Sequence, residues 1–232
     1  MEFPSWQMHR GYWKKGVREN TMAAFQQAFA ADAQMVEMDV QISRDGIPHV
    51  FHDYSLKKMF HVDQWVNKTS HEDLKSLNVP TLKEVLESEL VPEYFNIEIK
   101  SIDFVSYRIA RKVYETIIST KHSKKFLVSS FNPMVLHWFF KFDPDIPRAL
   151  IVGDINYFMG WKFNWAMKLA KPDFINCHYK IIDEEESRAR LIGYKKPVMV
   201  WTVNDWEKAQ FYLTRGAKSV ISDDLPQGKL DS

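Results

Sequence analysis

Met35-Val36-Glu37-Met38-Asp39-Val40-Gln41-Ile42-Ser43-Arg44-Asp45-Gly46-Ile47-Pro48-His49-Val50-Phe51-His52-Asp53 is the stretch on which the fold turns. In its first five residues apolar Val36 and Met38 alternate with Glu37 and Asp39, so a strand there carries two carboxylates on one face. Burying two like charges together is expensive unless a cation offsets them. Asp45-Gly46 is a strong hairpin-turn signal. Pairing Arg44 with Ile47 across a two-residue turn sets Asp39 opposite His52, which returns a histidine to the carboxylates.

Outward from this stretch, short β-branched or apolar runs alternate with longer segments of helical period, the signature of a parallel sheet wrapped by helices. Strands are expected at residues 6–9, 35–39, 95–99, 126–129, 148–151, 174–177, 198–201 and 219–222. Eight strands in 232 residues match a closed (β/α)8 TIM barrel of the α/β class, which typically needs ~200 to 250 residues. One domain over 1–232 is expected, with residues 54–79 as a small insertion after the second strand. That insertion holds a short helix capped by Ser70 with Asp73 three residues on, and reads as a cover over one edge of the site.

Three helices carry their own punctuation. One follows Asn20 as N-cap and sets Met22, Phe25, Ala28 and Phe29 on one face. Another follows Asp103 and stripes Val105, Ile109, Val113 and Ile117. A late one starts near Asn204 or Asp205 and closes on Arg215-Gly216. A further helix signal lies at Pro80-Thr81-Leu82.

Composition narrows the function classes. A formal charge of +1, from 31 basic and 30 acidic residues, gives no general attraction to nucleic acid. No apolar run approaches the ~20 residues that span a bilayer, so no integral membrane segment is expected. The lone Cys177 cannot form an internal disulfide, and the first residues lack the charged and apolar regions of a signal peptide; the cytoplasm is the expected compartment. Oligomeric state is not legible.

Glu98 ends the third barrel strand, where residues of this fold gather for chemistry. Glu37, Asp39 and Glu98 converging without cysteine describe a hard-cation site, suited to one Mg²⁺ or Ca²⁺. Arg10 and Lys100 are cations able to grip a phosphate, and His9 and His52 can supply an acid and a base. His61, His71, His122 and His137 read as structural; for His178, at the end of the sixth barrel strand, a structural place is favoured over lining the site.

These residues fall in a series that resembles the glycerophosphodiester phosphodiesterases from Met8 to Pro226: His9-Arg10-Gly11, Glu19-Asn20-Thr21, the segment 37–53, Pro80-Thr81-Leu82, Glu98-Ile99-Lys100, Ser129 to Asn132, Trp201 to Asn204, and Ile221 to Pro226. The resemblance implies that Glu37, Asp39 and Glu98 bind a divalent cation, that His9 and His52 perform acid-base catalysis, and that Arg10 and Lys100 hold the phosphate of a small-molecule glycerophosphodiester. It further implies that Trp201 walls the glycerol and that Glu19 and Asn20 brace the first loop. Two departures, Tyr12 and Arg18, fall in the loop read as lying over the site, where they bear on alcohol specificity.

The reaction implied is hydrolysis to sn-glycerol 3-phosphate and an alcohol, through a cyclic glycerol phosphate or by direct attack of water. Lysophospholipase D or sphingomyelinase D-like activity on the same barrel is the alternative enzyme reading. It would draw on the aromatic segment 157–169 for acyl contact, although packing of that segment on the barrel is favoured. A non-catalytic phosphodiester-binding barrel would lack a histidine or a metal carboxylate, and none is missing.

Overall fold

A computed structural model describes residues 2–14, 16–103, 105–120 and 125–226, and nine strands order these described residues. They are β1 (Trp6–Met8), β2 (Met35–Ile42), β3 (Pro48–Val50), β4 (Tyr94–Ile99), β5 (Lys125–Ser130), β6 (Arg148–Val152), β7 (Phe174–His178), β8 (Val198–Trp201) and β9 (Ser219–Ser222). Eight are parallel, and pairing of β1 with both β2 and β9 closes them into a barrel with helices outside. All eight strands expected from the sequence are present. β3 is the ninth, antiparallel on β2.

The pleat decides what faces where. In β2, Val36, Met38 and Val40 pack outward against the helices, and in β4 Phe95, Ile97 and Ile99 do the same. The alternate positions therefore point into the barrel. Its lower interior holds Met35, Leu127, Ala149 and Met199. Above them lies a buried polar layer: Asn96 Nδ2 donates to Gln7 Oε1 at 3.0 Å, Gln7 Nε2 to Ser219 Oγ at 3.0 Å, and Ser129 Oγ to Asn96 Oδ1 at 2.7 Å. Glu37, Asp39 and Glu98 continue the same inward faces toward the C-terminal end of the strands.

The hairpin register differs from the expected one by a residue. Val40 pairs with Val50 and Ile42 with Pro48, so Phe51, not His52, stands opposite Asp39 and donates its N–H to the Asp39 carbonyl at 2.9 Å. The turn is longer than two residues because Gly46, at φ +83°, takes the left-handed position of a three-residue loop between Ser43 and Ile47. His52 lies just past the end of β3.

Three helix details also differ. The first helix, Met22–Ala30, is capped by Thr21, while Asn20 sits at φ +55°. Its inner face is Ala24, Phe25 and Ala28, and Phe29 is exposed, because Ala24 approaches the backbone of Gly11 so closely that a Cβ there would lie 2.8 Å from it. The helix expected after Asp103 begins at Tyr107: the Asp103 carboxylate accepts the N–H of Val105 in a turn, leaving Val105 exposed and Ile109, Val113 and Ile117 buried. Ser70 and Asp205 cap their helices as expected, and Thr81 and Glu84 form a reciprocal capping box. Residues 54–79 carry apolar side chains that join Phe51 in a small cluster of their own, around Leu56, Val66, Leu74 and Val79.

Candidate active site

β1 runs straight into His9 and Arg10, and the chain then turns back on itself. Arg10 adopts φ +59° and Gly11 φ +80°. The Arg10 N–H donates to Glu37 Oε2 at 3.1 Å, and its guanidinium meets Glu19 Oε1 at 2.8 Å and Asp39 Oδ2 at 3.1 Å. Asn20 completes this brace, donating from Nδ2 to Asp39 Oδ2 at 2.8 Å and accepting the Asp39 N–H at 3.2 Å.

Parallel register places Asp39 beside Glu98 on β2 and β4. Oxygen atoms of Glu37, Asp39 and Glu98 lie within 4.8 Å of one another. Lys100, two residues beyond Glu98 on the same face, reaches Glu98 Oε1 at 2.8 Å and Asp39 Oδ1 at 3.2 Å. Burial favours the protonated acid at Asp39, but Lys100 and Arg10 outweigh it and hold that carboxyl below the usual range. Burial and the Asp39 charge push Glu37 up to about 8, and the same two causes raise Glu98. Fully ionised, the three carboxylates would carry more negative charge than the two cations offset, and a hard divalent cation on all three would supply the balance.

Each imidazole is anchored through Nδ1. His9 Nδ1 lies 2.7 Å from Asp223 Oδ1, and its Nε2 lies 3.9 Å from Glu37 Oε2. Asp223 accepts a second hydrogen bond from Asn204 Nδ2 at 2.7 Å. His52 Nδ1 lies 2.6 Å from Asp53 Oδ1. The loop carrying this pair is gathered by Gln41, whose Nε2 donates to the carbonyls of Phe51, His52 and Asp53 at 2.9, 3.2 and 2.8 Å. A carboxylate on Nδ1 fixes the ring and leaves Nε2 for substrate. Burial works against protonation at both rings. At His9 the Asp223 hydrogen bond and the Glu37 charge reverse it and raise the pKa; at His52 burial prevails, helped by Lys100 and Arg10, and the pKa falls.

His9, Arg10, Glu37, His52, Glu98 and Lys100 line one cavity of about 270 Å³, walled opposite by Phe131, Asn176 and Trp201. Trp201 donates from Nε1 to the Asn176 carbonyl at 3.2 Å and meets the Phe131 ring edge-on at 5.8 Å. Gly153 makes room for it, since a Cβ there would lie 3.2 Å from the indole. His178 does not line this cavity; its ring sits 5.0 Å from Trp201 and its Nδ1 accepts the N–H of Lys180. His61, His71 and His137 also lie outside the cavity lining, and His122 is outside the described residues. Tyr12 is a buried core residue, and Arg18 donates to the Asn78 carbonyl at 2.8 Å and covers Phe60, so neither departure touches the cavity.

Asp223, Asp53, Gln41 and Asn176 carry no role legible from the sequence, and Asn204 reads there only as a helix start. The Asp53 and Asp223 signals were present in His52-Asp53 and in Asp223-Asp224, but nothing in spacing tells which aspartate meets a ring. Asn176 is buried with its Oδ1 unpartnered among the described residues.

Fold and site define a barrel enzyme of the phosphoric diester hydrolase class. The chain belongs to the glycerophosphoryl diester phosphodiesterase family, whose model matches residues 9–226. It is 29% identical to a glycerophosphodiester phosphodiesterase of Caldanaerobacter subterraneus subsp. tengcongensis, over 93% of this chain and 92% of that one. It is 30% identical to a lysophospholipase D of Mus musculus, over 88% of this chain and 79% of the relative. Among solved structures, an Oleispira antarctica phosphodiesterase in complex with the product sn-glycerol-3-phosphate superposes with a TM-score of 0.82 at 24% identity, covering 99% of this chain and 97% of that one. A glycerophosphodiester phosphodiesterase from Thermotoga maritima gives 0.75 at 29% identity, covering 96% of each. Among the described residues no helix is long and apolar enough to cross a membrane.

Proposed function

We propose that this enzyme hydrolyses glycerophosphodiesters to sn-glycerol 3-phosphate and a free alcohol, with Glu37, Asp39 and Glu98 holding one Mg²⁺ or Ca²⁺ and with His52 and His9 as base and acid. The observation that carries the reading is the meeting of three carboxylates, Glu37 and Asp39 buried and Glu98 partly buried, with two aspartate-anchored imidazoles at one cavity. When bound, the cation supplies electrostatic stabilisation of charge developing on the phosphoryl oxygens.

The remaining work falls to the chain's own residues. Arg10 and Lys100 hold the phosphate, Arg10 in an orientation set by Glu19 and Asn20 through their contacts with it and with Asp39. His52, whose pKa burial lowers, stays neutral and takes the proton of the attacking hydroxyl at Nε2. His9, whose pKa is raised despite burial, keeps its proton and delivers it from Nε2 to the departing alcohol oxygen as the P–O bond breaks. Trp201 walls the glycerol, and the unpartnered Asn176 Oδ1 accepts a hydrogen bond from a glycerol hydroxyl. A reducing cytoplasm is the proposed compartment, supported by a composition with one cysteine, Cys177, and therefore no internal disulfide.

The test is a coupled assay for glycerol 3-phosphate release from several glycerophosphodiesters, with and without a chelator. Release that stops on chelation and returns with Mg²⁺ or Ca²⁺ is expected. Undiminished turnover after stripping would remove the cation from the reading, and no release from any diester would remove the reaction.

A further inference from the structure

On the outside of the barrel, the helices Glu185–Gly193 and Trp206–Thr214 leave a pocket of about 280 Å³ between them. It lies at the opposite end of the strands from the catalytic mouth: Val198, which opens β8, and Ala217, two residues before β9, line it. No residue lines both this pocket and the catalytic cavity. Its volume is at the small end of the ~300 to 1,000 Å³ range of ligand pockets.

Three cations, Arg188, Lys196 and Arg215, line the pocket, and no carboxylate does. Lys196 follows the end of the first helix and Arg215 caps the end of the second, where a cation complements the helix dipole. That accounts for their sign but not for the apolar hollow they enclose. Buried Leu191 and Tyr212 form its floor, the Tyr212 hydroxyl being turned away to Asp183 at 2.6 Å. Ile192 and Phe211 stand at its rim, 71% and 43% exposed.

Two of the cations are held in place by the chain itself. Arg188 Nη1 donates to the Ile182 carbonyl at 3.0 Å, and the Arg215 guanidinium lies 3.8 Å from the centroid of the Phe211 ring. Neither is neutralised. Among the described residues none of the three cations forms an ion pair, and Glu184, whose carboxylate feels Arg188, spends its oxygens on the N–H groups of Glu186 and Ser187. A guanidinium already fixed and unpaired loses little freedom on meeting an anion.

We infer that this pocket binds a small phosphomonoester with an apolar, ring-sized body, at a site separate from the catalytic one. Three cations around an apolar hollow call for a ligand with both parts. A carboxylate brings a single charge, whereas a phosphomonoester brings about −1.5 to −2 at pH 7 and three acceptor oxygens that arginine forks grip bidentately. Its body covers Ile192 and Phe211, which a bare inorganic ion leaves exposed.

Isothermal titration calorimetry with 1-naphthyl phosphate tests this, run with Mg²⁺ and saturating sn-glycerol 3-phosphate so that the catalytic cavity is filled. Binding at one site is expected. Inorganic phosphate and 1-naphthol, each lacking one part of the ligand, should bind at least about tenfold more weakly. Arg215→Gln and Arg188→Gln should each weaken 1-naphthyl phosphate at least about tenfold while glycerophosphodiester turnover stays within about twofold of wild type. Arg215, exposed past the helix end, carries the test alone if loss of the Ile182 contact unfolds Arg188→Gln. Three results would each overturn the site: heat that vanishes once sn-glycerol 3-phosphate is present, affinity that survives Arg215→Gln, or inorganic phosphate binding as tightly as the naphthyl ester, which would leave an adventitious ion only.

Discussion

Two imidazoles sit in one cavity with opposite electrostatic settings: each has an aspartate on Nδ1, but His9 also faces Glu37, whereas Lys100 joins burial against protonation of His52. Asp223 is hydrogen-bonded to His9 and is itself held by Asn204. Because Asp223 raises the His9 pKa, Asp223→Asn should lower it, so the alkaline limb of the kcat/KM profile moves to lower pH, with a loss of about 10- to 100-fold in turnover. His9→Ala and His52→Ala should each lose at least about 100-fold in kcat with an unchanged far-UV spectrum and melting profile. Near-wild-type rates in either variant would reject its assignment. At this scale the sequence spoke clearly where residues repeat a period: Glu37, Asp39 and Glu98 were legible as inward carboxylates because the pleat alone decides their face. The anchors were not, since His9 and Asp223 are far apart in sequence and meet only when the first and last strands pair.

For elements, the eight parallel strands could be read from hydrophobic runs, whereas the ends of elements could not. The hairpin shows why. Asp45-Gly46 signals a turn, yet whether Gly46 occupies a two-residue or a three-residue loop depends on its left-handed φ and on Arg108, which donates to the Arg44 carbonyl at 2.8 Å. That one extra residue moved Phe51 into the place expected of His52, and Gln41, inward-facing and buried, is what returns the histidine to the site. Gly46→Ala should be felt here: φ +83° strains any side chain, and the new Cβ would lie 3.0 Å from Arg108 Nη2. A loss of about 1 kcal/mol is expected, read as a fall of ~2 to 4 °C in melting temperature. An unchanged melting temperature would contradict the turn geometry. The Asp103 start failed for a related reason, because its carboxylate closes a turn ahead of the helix rather than capping it.

Across the whole molecule, closure of the barrel concentrates negative charge that the protein only partly offsets. Glu37 binds its proton up to about pH 8 in the folded chain, against an ordinary value of 4.5. The folded state therefore holds more protons than the unfolded state between those values, and the stability contributed by this group declines as pH rises through them. A divalent cation binds the ionised carboxylates and must displace that proton below about pH 8. Thermal stabilisation by a fixed concentration of Mg²⁺ or Ca²⁺ should thus grow from about pH 6 to pH 8, and Glu37→Gln should flatten the trend. A shift independent of pH, or one retained in the variant, would place the cation elsewhere.

The most direct measurement is the anomalous scattering of crystals soaked in Mn²⁺ together with sn-glycerol 3-phosphate. One metal peak within bonding distance of Glu37, Asp39 and Glu98, with the phosphate between that peak and the Nε2 atoms of His9 and His52, is the expected result. Metal bound away from the three carboxylates, or a phosphate out of reach of both rings, would contradict it.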